Sequence, residues 1–209
     1  AVQKFDNNHN DQITRKSITL SPHIKTQPGK NTHHYLAERK GWTVEYAKQV
    51  SQQVISMAKE VGLNYDFDKA VVANSFNAHR VSHLAKKYNL GDAMEETLFK
   101  AYFTEGKNID DREALIQLGT GIGLNASEIE EVLNSDLYTD AVEQDIIDAQ
   151  QVGVRGVPFF VIDRKYAVSG AQPSEVFLGA LNKAWDESGT ENNKLSADGG
   201  SCSIDGNCD

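Results

Sequence analysis

At Gly153 the hydrophobic period of this chain changes, and that change restricts the folds open to it more than any other feature. From about residue 31 to 153 apolar residues recur at three- and four-residue steps, the mark of helices with one buried stripe. Beyond Gly153, Val157 to Ile162 is a short apolar run suited to a buried strand, and Tyr166 to Ser169 reads as a second strand. The polar Asp163-Arg164-Lys165 between them reads as a hairpin turn. Gly170-Ala171-Gln172-Pro173 leads into a closing helix, with Pro173 suited to its first position. Phe177, Leu178, Leu181, Ala184 and Trp185 form that helix's inner face. Upstream, residues 12–20 carry β-branched residues in loose alternation and read as one short strand, broken off by Ser21-Pro22 and Gln27-Pro28-Gly29. The order is therefore strand, helical block, two strands, helix: a small sheet interrupted by an all-helical insertion.

Within the block, Tyr46, Ala47, Val50, Val54, Met57, Ala58 and Val61 make one apolar stripe of a long helix that Gly62 ends. Asn74 can cap a second helix carrying Phe76, His79, Arg80, His83, Leu84 and Tyr88. Gly91-Asp92 separates a third with Met94, Leu98, Ala101 and Tyr102. Asp110 followed by Glu113, and Asn125 followed by Glu128, have capping-box spacing for a fourth and a fifth. A last helix, about 138–152, carries Ala141, Val142, Ile146, Ala149 and Val152.

A length of 209 residues suits one domain, or one domain with an insertion. Lysine and arginine number 21 against 30 acids, a net charge of −9, which disfavours nonspecific binding to nucleic acid or an anionic membrane. Charged residues at 24% and hydrophobic residues at 39% are those of a globular protein, so collagen-like and disordered classes are excluded. The longest apolar runs span only a few residues, far short of the roughly 20 a membrane helix needs. No signal peptide opens the chain, and it starts at Ala1 in what reads as mid-helix, so a preceding N-terminal piece is expected.

Both cysteines, Cys202 and Cys208, lie in the last eight residues, so no disulfide can staple the core. Gly206 and Asn207 would let a local loop close between them. They are either idle thiols on a polar tail or a redox-exchanging pair, which Asp205 and Asp209 would slow by raising their pKa. Zinc would need about four ligands, and no other Cys or His is near; no metal site is expected. His79 and His83 share a helix face, read as a polar face turned toward the sheet domain. His33-His34 read as surface, and Gly119-Thr120-Gly121-Ile122-Gly123 as a helix stop rather than a phosphate loop, since it follows a helix and lacks the lysine.

The segment Gly153-Val154-Arg155-Gly156-Val157-Pro158-Phe159-Phe160-Val161 carries the most chemical information. Proline has no N–H and is unwelcome inside a central strand, but here it opens one. Two readings stand: a trans proline that starts an edge strand, or a cis Val157–Pro158 bond that turns the chain sharply. The second would leave the N–H and C=O of Val157 unpaired and facing outward, where an extended peptide or thiol-bearing substrate could bond in strand fashion.

Residues 153–173, the run Ala-Asn-Ser-Phe-Asn-Ala-His-Arg at 73–80 and Thr19-Leu20-Ser21-Pro22 together resemble the DsbA family of thiol-disulfide oxidoreductases, in its FrnE-like branch. The resemblance extends over nearly all of residues 1–187. It implies an α/β chain with a thioredoxin-like fold and a large all-helical insertion. Residues 1–30 and 150–187 would form the thioredoxin-like domain, 31–149 the insertion and 188–209 a flexible tail with the cysteine pair. It implies thiol–disulfide exchange on protein or low-molecular-weight thiols, glutathione among them, with no cofactor, in the cytoplasm, as a monomer or homodimer. Pro158, Val157 and Gly156 would position the substrate disulfide. Asn74, His79 and Arg80 would lie near the interdomain cleft, with Arg80 drawing in an anionic thiol. Cys202 and Cys208 would relay electrons.

One departure stands out. The family's Cys-x-x-Cys, at the N-terminus of its first helix, is nowhere in residues 1–201. The expectation is that the chain begins downstream of it, with Ala1 to Phe5 the later part of that helix. Two rival functions remain: a glutathione-dependent isomerase or kappa-class transferase, in which serine replaces the first cysteine, and a redox-inactive thioredoxin-fold adaptor.

Overall fold

A computed structural model describes residues 2–5 and 12–197. It divides into two compact units, one of residues 1–14 with 153–209 and the other of residues 15–152. No described helix is long and apolar enough to cross a membrane.

The second unit is built mainly of helices. A short strand β1 (Gln27–Asn31) pairs antiparallel, with a shift in register, to β2 (Val71–Val72). Between them lie α1 (Thr32–Lys40) and α2 (Val44–Glu60). The side chains of Asn31 and Thr43 cap these two helices by accepting the amides of His33 and Tyr46. Then come α3 (Phe76–Lys87), α4 (Gly91–Phe103), α5 (Arg112–Gly121), α6 (Ala126–Asn134) and α7 (Thr139–Gln151). Val81, Leu84, Met94, Leu98, Leu115, Ile129 and Val132, drawn from α3 to α6, interlock as the main core. At Gly119 a Cβ would sit 2.6 Å from Cδ1 of Ile129, so α5 and α6 approach closely there and a larger residue would make Ile129 shift.

Four expectations change. The strand expected over 12–20 does not form. The Ser17 N–H donates to Asp145 at 2.9 Å and the Arg15 carbonyl accepts from the Lys86 ammonium at 2.9 Å, so side chains take the groups a neighbouring strand would have used. Gln27-Pro28-Gly29, read as a break, instead begins β1. The cap of α5 is Asp111, which accepts from Ala114, one residue beyond Asp110. On α2 only Ala47 and Ala58 of the apolar stripe are buried, joined by Ser51, while Tyr46, Val54, Met57 and Val61 face solvent. Asn125 does cap α6, and α5 stops at the glycine-rich turn.

In the first unit, β3 (Phe159–Ile162) and β4 (Tyr166–Ser169) form the expected antiparallel hairpin, with β3 starting two residues later than read; Phe159 faces Ser169 and Ile162 faces Tyr166. Asp163 and Arg164 both take positive φ, 49° and 56°, and the Lys165 amide closes the turn on Ile162. That turn type suits glycine far better than arginine. Arg164→Gly should therefore raise stability by about 1 kcal/mol, read as a higher Tm, and an unchanged or lower Tm would refute this account of the turn. The closing helix α8 (Ser174–Ala197) places Phe177 against Phe160, centroids 4.8 Å apart, and Trp185 edge-on to the buried Phe5 at 6.3 Å. It runs on past Glu187, where a flexible tail was expected, because extending an established helix adds one hydrogen bond per residue without a new nucleus. The N-terminal residues, expected to be α-helical, form a single 3-10 turn, Val2–Lys4.

Candidate functional site

Gly153, at φ +78°, ends the helical pattern and turns the chain out of α7. The Val157–Pro158 peptide bond that follows is cis. The Pro158 carbonyl accepts from the Gly170 amide at 2.9 Å, so the proline joins the ladder through its acceptor and its missing N–H costs nothing. Val157, two residues before β3, is 51% exposed. Among the described residues its N–H and C=O have no backbone partner. Gly156 beside it has open space where a Cβ would stand. The loop thus presents the main-chain groups of Val157 in a bend just ahead of β3, a strand packed by β4 and α8.

The other residues singled out in the sequence lie on or beside α3, in the helical unit. The Asn74 carbonyl oxygen accepts from the Phe76 amide at 2.8 Å, but the N-cap of α3 is Ser75, so Asn74 braces the turn ahead of the helix rather than capping it as expected. Its amide group donates to the Ile24 carbonyl and its N–H to Thr26 Oγ1, both at 2.9 Å. Asn74 therefore ties the Ile24–Thr26 segment to the start of α3.

Arg80 differs from expectation. It is 5% exposed, and its guanidinium donates to the carbonyls of Leu137, Val132 and Ser135 and to Asn77. These carbonyls lie at and beyond the C-terminal end of α6, where four C=O groups lack helical partners. The side chain is spent on capping α6, and burial lowers its pKa, so its charge does not stand open to an anionic thiol. Lysine could not reproduce the planar fork. Arg80→Lys should cost about 2 kcal/mol in urea unfolding, and a loss well under half of that would show the fork is dispensable.

His79 and His83 share one face of α3, as their spacing predicts, but the face meets the segment 15–18 and α7. Burial, followed by the charges of Lys86 and His83, pushes His79 down to about 4. Burial and Lys86 lower His83 as well, against the pull of Asp145. At the centre lies Asp145, 3% exposed. Its carboxylate accepts from the Ser17 amide at 2.9 Å and the Lys16 ammonium at 2.7 Å, and lies 3.1 Å from His83 Nε2. Burial pushes this carboxyl up, but Lys16, the Ser17 amide and Lys86 outweigh it and hold it below its usual range. Ser17 Oγ approaches the same Nε2, at 3.3 Å, so serine and aspartate do not flank opposite imidazole nitrogens as a nucleophilic triad requires. The cluster is a clamp on the 15–18 segment. Sequence reading missed it, although Asp145 is an acid placed three and four residues from Val142 and Ala149 on an inner face.

His33, read as surface, is buried between Asp68 (3.1 Å) and Ser51 (3.2 Å) and ties α1 to α2 and the following loop. No three of His, Cys, Asp and Glu gather as a metal site among the described residues. Cys202 and Cys208 lie outside the described residues.

Residues 1–182 match the model of the DSBA-like thioredoxin domain. The chain belongs to this family. Its fold is the family's thioredoxin-like α/β fold with a helical insertion. A crystal structure described as the probable DsbA oxidoreductase SCO1869 from Streptomyces coelicolor superposes with a TM-score of 0.84 at 34% identity, covering 89% of this chain and 80% of that one. YwbO, an uncharacterized protein of Bacillus subtilis (strain 168), is 29% identical over 141 residues, 66% of this chain and 68% of that protein.

Proposed function

We propose that this DSBA-family chain serves thiol–disulfide exchange on protein or small-molecule thiols, with the Gly156–Pro158 loop as the place where the substrate disulfide is held. The observation that carries this reading is the free main-chain edge of Val157 at the mouth of β3. A substrate segment can pair with it as an added strand, which fixes the disulfide by backbone groups and accepts many side-chain sequences. In exchange, an attacking thiolate forms a bond to one sulfur of a disulfide and displaces the other as a thiolate. A second thiol then attacks the mixed disulfide and releases the product. Cys202 and Cys208 are the only thiols in the 209 residues, and we assign them an electron relay to the exchange centre.

The test is turnover of a disulfide-linked fluorogenic peptide by the protein at its natural length, alone and with C202S/C208S. Turnover that falls in the double variant supports both parts of the reading. Turnover unchanged by the double variant removes the relay. No turnover, with stable capture of the peptide, replaces the oxidoreductase by a binding adaptor.

A further inference from the structure

The bare face of α2 stands apart from everything described above. Its buried residues, Ala47, Ser51 and Ala58, line one side of the helix, and α1 is the helix packed there. Immediately beside that side runs a second apolar row, Tyr46, Val50, Val54, Met57 and Val61, spaced by three and four residues over about 23 Å. Met57 is 65% and Val61 74% exposed, and Tyr46 and Val54 more than two-fifths. No charged residue interrupts the row. Trp42 stands edge-on to Tyr46 at 5.1 Å and lengthens it at one end.

We propose that this row is a homodimer interface, with α2 packed antiparallel against α2 of a second copy about a two-fold axis near Gln53 and Val54. Two observations favour a second copy over another occupant. The first is size. A stable interface buries about 800 Å² per partner, roughly 60% of it apolar, so it asks for about 500 Å² of apolar surface. The exposed parts of Trp42, Tyr46, Val54, Met57, Val61 and Leu63 supply on the order of that area. The second is self-complementarity. Turned end for end about that axis, Tyr46 faces Val61 and Met57 faces Val50, so each contact sets a large side chain against a small one, as an isologous interface needs. Gln49 and Gln53, both exposed, flank the row as an uncharged polar rim, and the aromatic pair supplies an anchor at each end of the dimer.

Sedimentation velocity of the 209-residue chain over a wide concentration range tests this. The wild type should sediment as a dimer in the micromolar range. M57K/V61K should remain monomeric with an unchanged circular dichroism spectrum, because both side chains are exposed in the single copy. A second measurement stands apart from that variant's folding. In a C202S/C208S background, Q53C should crosslink to a covalent dimer with diamide, two thiols joining as one disulfide while the diamide is reduced. K48C, on the opposite side of the helix, should not. A wild-type chain that stays monomeric, a dimer that survives M57K/V61K, or crosslinking through K48C as readily as Q53C would each overturn the proposal.

Discussion

Asp145→Ala should cost about 3 kcal/mol in stability at neutral pH, the lower end of what breaking a buried ion pair costs. The loss stays at that lower end because Lys16 is half exposed and returns to water once its partner is gone. The Ser17 amide cannot do so: it is buried, and without the carboxylate it is an orphan donor beside a small cavity. Asp145→Asn keeps an acceptor and the shape but not the charge, so it should lie between wild type and alanine. Urea unfolding measures the loss. Amide hydrogen exchange localises it, since Ser17 should lose protection in Asp145→Ala while core amides of α4 and α5 keep theirs relative to global unfolding. A loss below about 1 kcal/mol, or a Ser17 amide still protected to the global limit, would show that other contacts hold the 15–18 segment.

Acid should weaken this chain earlier than its carboxylates alone would. His79 has an ordinary value of 6.5 and is held at about 4 in the fold. Between those values the unfolded chain binds a proton that the folded chain refuses, so the unfolded state gains as pH falls. The contribution is complete above about pH 6.5, shrinks through the interval and is gone below about 4; in full it amounts to about 3 kcal/mol. His83 is lowered by the same burial and acts in the same direction. The depressed Asp145 carboxyl contributes stability that is lost at still lower pH, as it protonates. Urea midpoints measured from pH 7 to 4 should fall steadily, and His79→Gln should flatten the curve. A wild-type midpoint constant over that range would mean His79 reaches water freely in the folded state.

The two results would also separate what each polar group does. Asp145 and His79 serve the same 15–18 segment from different helices, α7 and α3, so their substitutions should be non-additive. Arg80, whose bonds run to the end of α6, shares none of those partners and should add to either.

Helices α2 to α7 and the β3–β4 hairpin could be read from the sequence because their causes are local. A stripe of period 3.6, a capping Asn125, a glycine at a helix end and a polar turn between two apolar runs act within a few residues of one another. The Val157–Pro158 loop was legible in part for the same reason: proline and its neighbours mark a turn whatever packs around them, but both isomers stayed open until the structure gave the cis form. What only the tertiary structure decided was the pairing of polar groups across long separations. Residues 12–20 have the composition of a strand, yet Ser17 bonds to a carboxylate 128 residues away. Arg80 has the look of a free cation but finds carbonyls more than 50 residues on. The stripe on α2 shows the limit from the apolar side: periodicity states that a helix has a hydrophobic face, while the area left after its neighbours have packed determines whether that face is core or surface.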